Sequence, residues 1–153
     1  MRIFVFLHVA TMFAAVSVAL GPGLLLERIG HSGDVRAIRR AFGMAAPIVK
    51  LIPPLYGLGA LLGIVAIFTN GFNPFAPFLL IAYALFILAT VVGIRVNNPW
   101  FSRVVKLSGE SPDDAPSPEL SAAIDDPTIR WVNWLDRLII LVFIFDMIVK
   151  PFG

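Results

Sequence analysis

The chain has 153 residues, of which 58% are hydrophobic and 14% charged, with a formal net charge of +2. A soluble domain carries about 25% charged residues, so these are too few to cover a globule, and the composition places the chain in the membrane class. The basic residues flank apolar blocks instead of forming a basic-aromatic stripe, which excludes a nucleic-acid partner, and the lack of cysteine excludes disulfides, thiolate metal centres and covalent c-type haem attachment.

Residues 3–26, "IFVFLHVATMFAAVSVALGPGLLL", form the first apolar block, uncharged with His8 neutral. As a helix it is long enough to cross a hydrocarbon core of about 30 Å at about 1.5 Å per residue. The stretch also has the layout of a secretory signal, with Arg2, an apolar run and a small-residue pair at Ser17 and Ala19. The run continues through Leu24, Leu25 and Leu26, so it reads as an uncleaved anchor. Helical spacing puts His8, Thr11, Ala15 and Ala19 on one face, which should look inward, with Phe6, Phe13, Leu20 and Leu24 broadly opposite.

The next stretch, "ERIGHSGDVRAIRRAFGMAA", is basic. Within it Val35, Ile38 and Phe42 share a face, and Arg36, Arg39 and Arg40 lie largely on another. That pattern predicts a short amphipathic helix lying on the membrane surface, with the three arginines as a basic patch for lipid headgroups.

A second span is expected over 47–69 and a third over 74–96. Gly59, Gly63 and Ala66 on the second, and Ala82, Ala89 and Gly93 on the third, form stripes of small residues that predict close helix packing. "GPG" at 21–23 and "PP" at 53–54 should kink or interrupt their helices. The polar stretch "SGESPDDAPSPELSAAIDDP" reads as a cytoplasmic loop with one short helix, 118–124, capped by Ser117. Its acidic part, with the basic "RAIRR", forms a further partner or lipid surface. A fourth span is expected over 129–149, in a helix that starts with Asp126 as N-cap and Pro127 at the first position.

Lysine and arginine set the orientation. The first connection carries Arg28, Arg36, Arg39 and Arg40, with Lys50 at its edge; the third carries Arg95, Arg103, Lys106, Arg130 and Arg137; the second, "TNGFNP", has none. Positive residues stay inside, so both termini lie outside the cytoplasm of a bacterial inner membrane. Trp100, Trp131 and Trp134 then fall at the cytoplasmic interface. The fold class is all-α: one integral membrane domain, 1–153, built as a four-helix transmembrane bundle with a short amphipathic surface helix and a polar cytoplasmic loop.

Two ionisable groups fall inside the apolar blocks near the outer surface: His8 and Asp146. An acid in mid-bilayer costs roughly 2.5–3.5 kcal/mol on insertion scales, so it needs a partner or a purpose. Facing each other across the first and last helices, the two would carry a proton, bind a cation, or hold the ends of the bundle together. The alternative is local: Asp146 reaching the interface beside Lys150, and His8 bonding a backbone carbonyl or Thr11. Glu27 has Arg95 as a salt-bridge candidate at the inner end, as Arg28 has Asp136. Only His8, Met12 and Met147 offer a modest metal set. His8 and His31 lie at opposite faces, so one chain cannot clamp a haem. With no Ser/His/Asp constellation, phosphate loop or paired catalytic carboxylates, neither an enzyme nor a cofactor is expected.

The early "FLHVATMFAAVSVALGPGLL", the basic first connection and the closing "DMIVKPFG" resemble a family of small bacterial predicted integral membrane proteins with a domain of unknown function. The Leu7-His8 pair and Lys150-Pro151 are similar, more distantly, to copper-resistance D-type membrane proteins. The resemblance implies a four-helix membrane fold, and carries a metal role to His8 alone. The expected partners are the lipid bilayer and a second copy or another membrane protein. The expected work is that of a scaffold or accessory component, or alternatively proton- or metal-linked transport or redox support through His8 and Asp146.

Overall fold

The computed structural model describes residues 2–150 and is helical throughout, with no strand among those residues. The end of the closing motif, 151–153, lies outside them. In chain order the helices are α1 (Ile3–Gly30), α2 (Val35–Val49), α3 (Ile52–Thr69), α4 (Pro77–Val92), a π-helical turn (Gly93–Asn97), α5 (Asn98–Glu110), α6 (Pro118–Ile124) and α7 (Pro127–Val149). Three stretches are long and apolar enough to cross a membrane: Ile3–Gly30, Val35–Thr69 and Pro77–Glu110.

Each expected apolar block is helical, but two bounds and one environment differ. The helix α1 runs on to Gly30, straight through Pro22, so "GPG" does not interrupt it. Proline inside a long apolar helix is tolerated where neighbours absorb the lost backbone bond. The "PP" pair does break the chain's path: α2 ends at Val49, and Pro53 and Pro54 open α3 just beyond it, where their missing N–H groups cost little.

The apolar face of α2, expected to lie against a membrane surface, is covered by the chain itself. Val35, Ile38 and Phe42 are buried within the protein, and Ile38 and Phe42 pack with Leu26 of α1, Val104 of α5, and Leu120 and Ala123 of α6. The reason is α5, Asn98–Glu110, which no expected element covers and which enters the polar loop stretch only at its last three residues. Trp100, Phe101, Val104 and Val105 return at i, i+1, i+4 and i+5, an amphipathic face that meets the one on α2. Phe42 stacks on Phe101 with ring centroids 5.5 Å apart and meets Trp100 edge-on at 6.0 Å. The Trp100 indole N–H donates to the Ala123 carbonyl at 2.8 Å. Trp100 is therefore half-buried against the core of this helical cap.

The shorter elements stand where their caps put them. Ser117 caps α6 through the Leu120 amide, and Asp126 caps α7 through the Thr128 amide. Within the apolar region α1 packs mainly along α3, and α4 along α7. Tyr56 of α3 meets Phe86 of α4 with ring centroids 6.4 Å apart.

Candidate functional site

His8 and the small residues of α1 face α3. Ala15 is fully buried, and Gly59 of α3 is buried with it. A Cβ on Gly59 would collide with the Met12 sulfur, and one on Gly63 would lie 2.9 Å from the His8 ring. The two glycines thus leave the space that Met12 and His8 occupy. The His8 Nδ1 lies 2.7 Å from the Gly59 carbonyl oxygen, which can only accept, so Nδ1 carries the proton and donates. Of the roles open to His8, this is the backbone bond: a clasp between two helices.

Asp146 has 1% of its surface exposed. Neither carboxylate oxygen has a hydrogen-bond partner among the described residues. It shares a face of α7 with Ile139, two turns earlier and also buried. No hydrogen bond or ion pair joins it to His8, because His8 is turned onto α3. Lys150 does not serve it either. That residue ends α7 in the left-handed region, with φ 46°, and its ammonium sits 5.2 Å from the Phe72 ring centre and 5.7 Å from that of Phe78. The expected pair is two separate features: a satisfied histidine and a buried acid with no hydrogen-bond partner among the described residues. Of the proposed metal set, His8 and Met12 line the α3 glycines, and Met147 adjoins Asp146 in sequence.

The end of α1 and α7 nearest α2, α5 and α6 holds a polar cluster that the residue pattern reveals only in part. Glu27 of α1 pairs with Arg137 of α7, and the Arg137 guanidinium lies over the Trp134 ring at 5.5 Å. Asp136 accepts a 2.7 Å hydrogen bond from Asn97. Neither pairing anticipated for this end forms; Arg137 and Asn97 take the places of Arg95 and Arg28. The π turn ends at Asn97. One extra residue in a helical turn rotates the remainder of the helix by about 100°, a device found often where a side chain must be re-aimed. No residue type announces such a turn in a sequence.

The basic patch is largely taken up by the chain itself. Arg39 donates to Asp113 at 2.7 Å, to the Ser108 carbonyl at 2.9 Å and to the Ser111 carbonyl at 2.8 Å. Arg36 donates to Asp113 at 3.1 Å. Hydrogen bonds from Arg39 and then Arg36 hold the Asp113 carboxyl below the usual carboxylate range. Arg36 and Arg39 thus clamp the α5–α6 loop, Arg36 with most of its side chain still exposed, and Arg40 is exposed. On the other side of the cap, His31 ends α1, its Nδ1 donating to the Glu27 carbonyl at 2.7 Å and its Nε2 3.4 Å from the Asp125 carboxylate.

Comparison with protein-family models, with curated proteins and with solved structures finds no match to this chain.

Proposed function

We propose that this chain crosses a bacterial inner membrane four times, with both termini outside, and works there as a small scaffold or accessory component. It associates with a second copy or with another membrane protein. The observation that carries the reading is on α7, the helix with too many charges to be recognised as a span by composition. Trp131, Trp134, Leu135, Leu138, Leu141, Val142, Phe145, Ile148 and Val149 are all exposed and recur at three- and four-residue intervals. This continuous stripe extends about 27 Å along the axis, close to the thickness of a hydrocarbon core. The charges lie off it: Asp136 and Arg137 meet Asn97 and Glu27, and Asp146 is buried. A stripe of that length and purity suits lipid and not water. The cap of α2, α5 and α6, with Arg40, Arg103 and Lys106 on its exposed surface, is then the cytoplasmic part open to partners.

The native chain has no cysteine, so single substitutions give a clean test. In intact cells a membrane-impermeant maleimide should label Asn73→Cys, in the α3–α4 loop, and should reach Ala115→Cys, in the cap, only after permeabilisation. The reverse pattern, or equal labelling of both in intact cells, overturns the topology.

A second reading is favoured by one observation, the unpartnered Asp146 carboxyl. In it Asp146, with His8 near the same surface, serves proton- or metal-linked transport or redox support. Proton flux into liposomes that falls on Asp146→Asn, or a bound metal or Soret band in the purified protein, would favour this reading. No flux, metal or Soret band would favour the scaffold.

A further inference from the structure

The stripe on α7 is not uniform. At its inner end Arg130, Trp131, Trp134, Leu135 and Leu138 line an open groove of about 610 Å³. Their order along the helix is a cation, then two indoles, then leucines. Trp131 is 77% exposed and Trp134 63%, the larger exposure lying nearer the cation.

The two arginines of this half of α7 differ in what they do. Arg137 is neutralised by Glu27 and stacked on Trp134, which fixes that indole as a wall of the groove. The Arg130 side chain makes no hydrogen bond or ion pair among the described residues and is exposed, and the residue lines both this groove and the small pocket beside Glu27 and His31. A free guanidinium there is an unanswered positive charge above an apolar trough.

We propose that this groove holds one anionic phospholipid of the cytoplasmic leaflet, an inference that rests on the four-crossing reading. Arg130 meets the phosphate through its planar fork of donors. The indoles of Trp131 and Trp134 sit at the headgroup boundary, where amphipathic rings are favoured. An acyl chain lies along Leu135 and Leu138. The depth order of these side chains is that of the lipid itself: charge, interface, hydrocarbon. A neutral lipid fills the trough equally well but leaves Arg130 without a net negative partner, so the groove selects for headgroup charge. One basic residue near an anionic headgroup corresponds to a preference of about five-fold.

The test uses the full chain in vesicles of phosphatidylcholine doped with bromine-labelled lipid, which quenches tryptophan on contact. Brominated phosphatidylglycerol should reach half-maximal quenching at about five-fold lower mole fraction than brominated phosphatidylcholine. Arg130→Gln should abolish that difference, and Arg103→Gln, on the exposed side of α5, should keep it. The Arg130 side chain has no hydrogen bond or ion pair among the described residues to lose, and helix content by circular dichroism verifies that the variant is folded. Equal quenching by the two lipids in the unaltered chain, or a preference that survives Arg130→Gln, overturns the lipid site and leaves the four-crossing reading intact. No quenching by either lipid overturns the four-crossing reading and this inference with it.

Discussion

His8, Gly59 and Gly63 form one unit, because the ring fits only where α3 lacks side chains. Gly63→Ala places a methyl 2.9 Å from that ring and should push Nδ1 off the Gly59 carbonyl. Overpacking of this kind costs about 1–3 kcal/mol. Because the methyl and the ring compete for one space, His8→Ala in the same chain should recover most of the loss, and unfolding in detergent would show the two changes to be non-additive. Asp146 predicts the opposite sign. Its carboxyl is enclosed and receives no hydrogen bond, so it contributes desolvation cost without return. Asp146→Leu should raise stability by about 1–3 kcal/mol in the same assay, and a fall would mean that the acid has a partner in the assembled protein. Asp113 gives a pH dependence. Its folded carboxyl titrates below the unfolded value of about 3.9, so its contribution is fully present above that value. As pH falls through the lower folded value the contribution is lost. Cap unfolding followed by proteolysis should therefore steepen in acid, and Asp113→Asn should remove that part of the curve.

Among the elements, the cap depends on α2 and α5 meeting through Phe42. Phe42→Ala opens a cavity under Trp100 and Phe101 and should cost about 3–5 kcal/mol. Hydrogen exchange should then quicken in α2, α5 and α6 ahead of α3 and α4, which take no part in that core. What was legible in the sequence divides along the same line. Local chemistry placed the starts of α6 and α7 to the residue, because Ser117, Asp126 and the proline after each specify helix starts without help from the rest of the chain. The amphipathic face of α2 was equally legible, but its partner was not. An apolar face suits lipid or protein alike, and the choice fell to α5, whose pattern is masked by the polar residues around "NNPW" and by Pro99. The glycine stripe on α3 was readable as a packing face. That His8 would be its cargo, and not a partner for Asp146, depends on how far each helix turns about its axis, which a 3.6-residue period fixes only relative to its own neighbours.

At the scale of the whole molecule, α1 lies along α3 and α4 along α7, so the long helices form two pairs. The Glu27–Arg137 ion pair joins one pair to the other at the end near the cap. Arg137 is 28% exposed and Glu27 33%, between a surface pair and a buried one. A change at either residue alone should therefore cost about 1–3 kcal/mol, more than a surface pair and less than a fully enclosed one. Arg137→Leu leaves Glu27 charged against α7 and also releases Trp134 from its stacked guanidinium. Glu27→Leu with Arg137→Leu removes both charges together, and an apolar replacement of a paired charge is often close to neutral. The double variant should thus be more stable than either single one, measured by thermal unfolding in detergent. Spin labels on α1 and α7 near Glu27 and Arg137 separate two outcomes. If the ion pair fixes the spacing of the helix pairs, the single variants broaden the inter-label distance and the double variant restores it. If the cap alone sets that spacing, the distance stays narrow in all three, and Glu27–Arg137 contributes stability without positioning the helices.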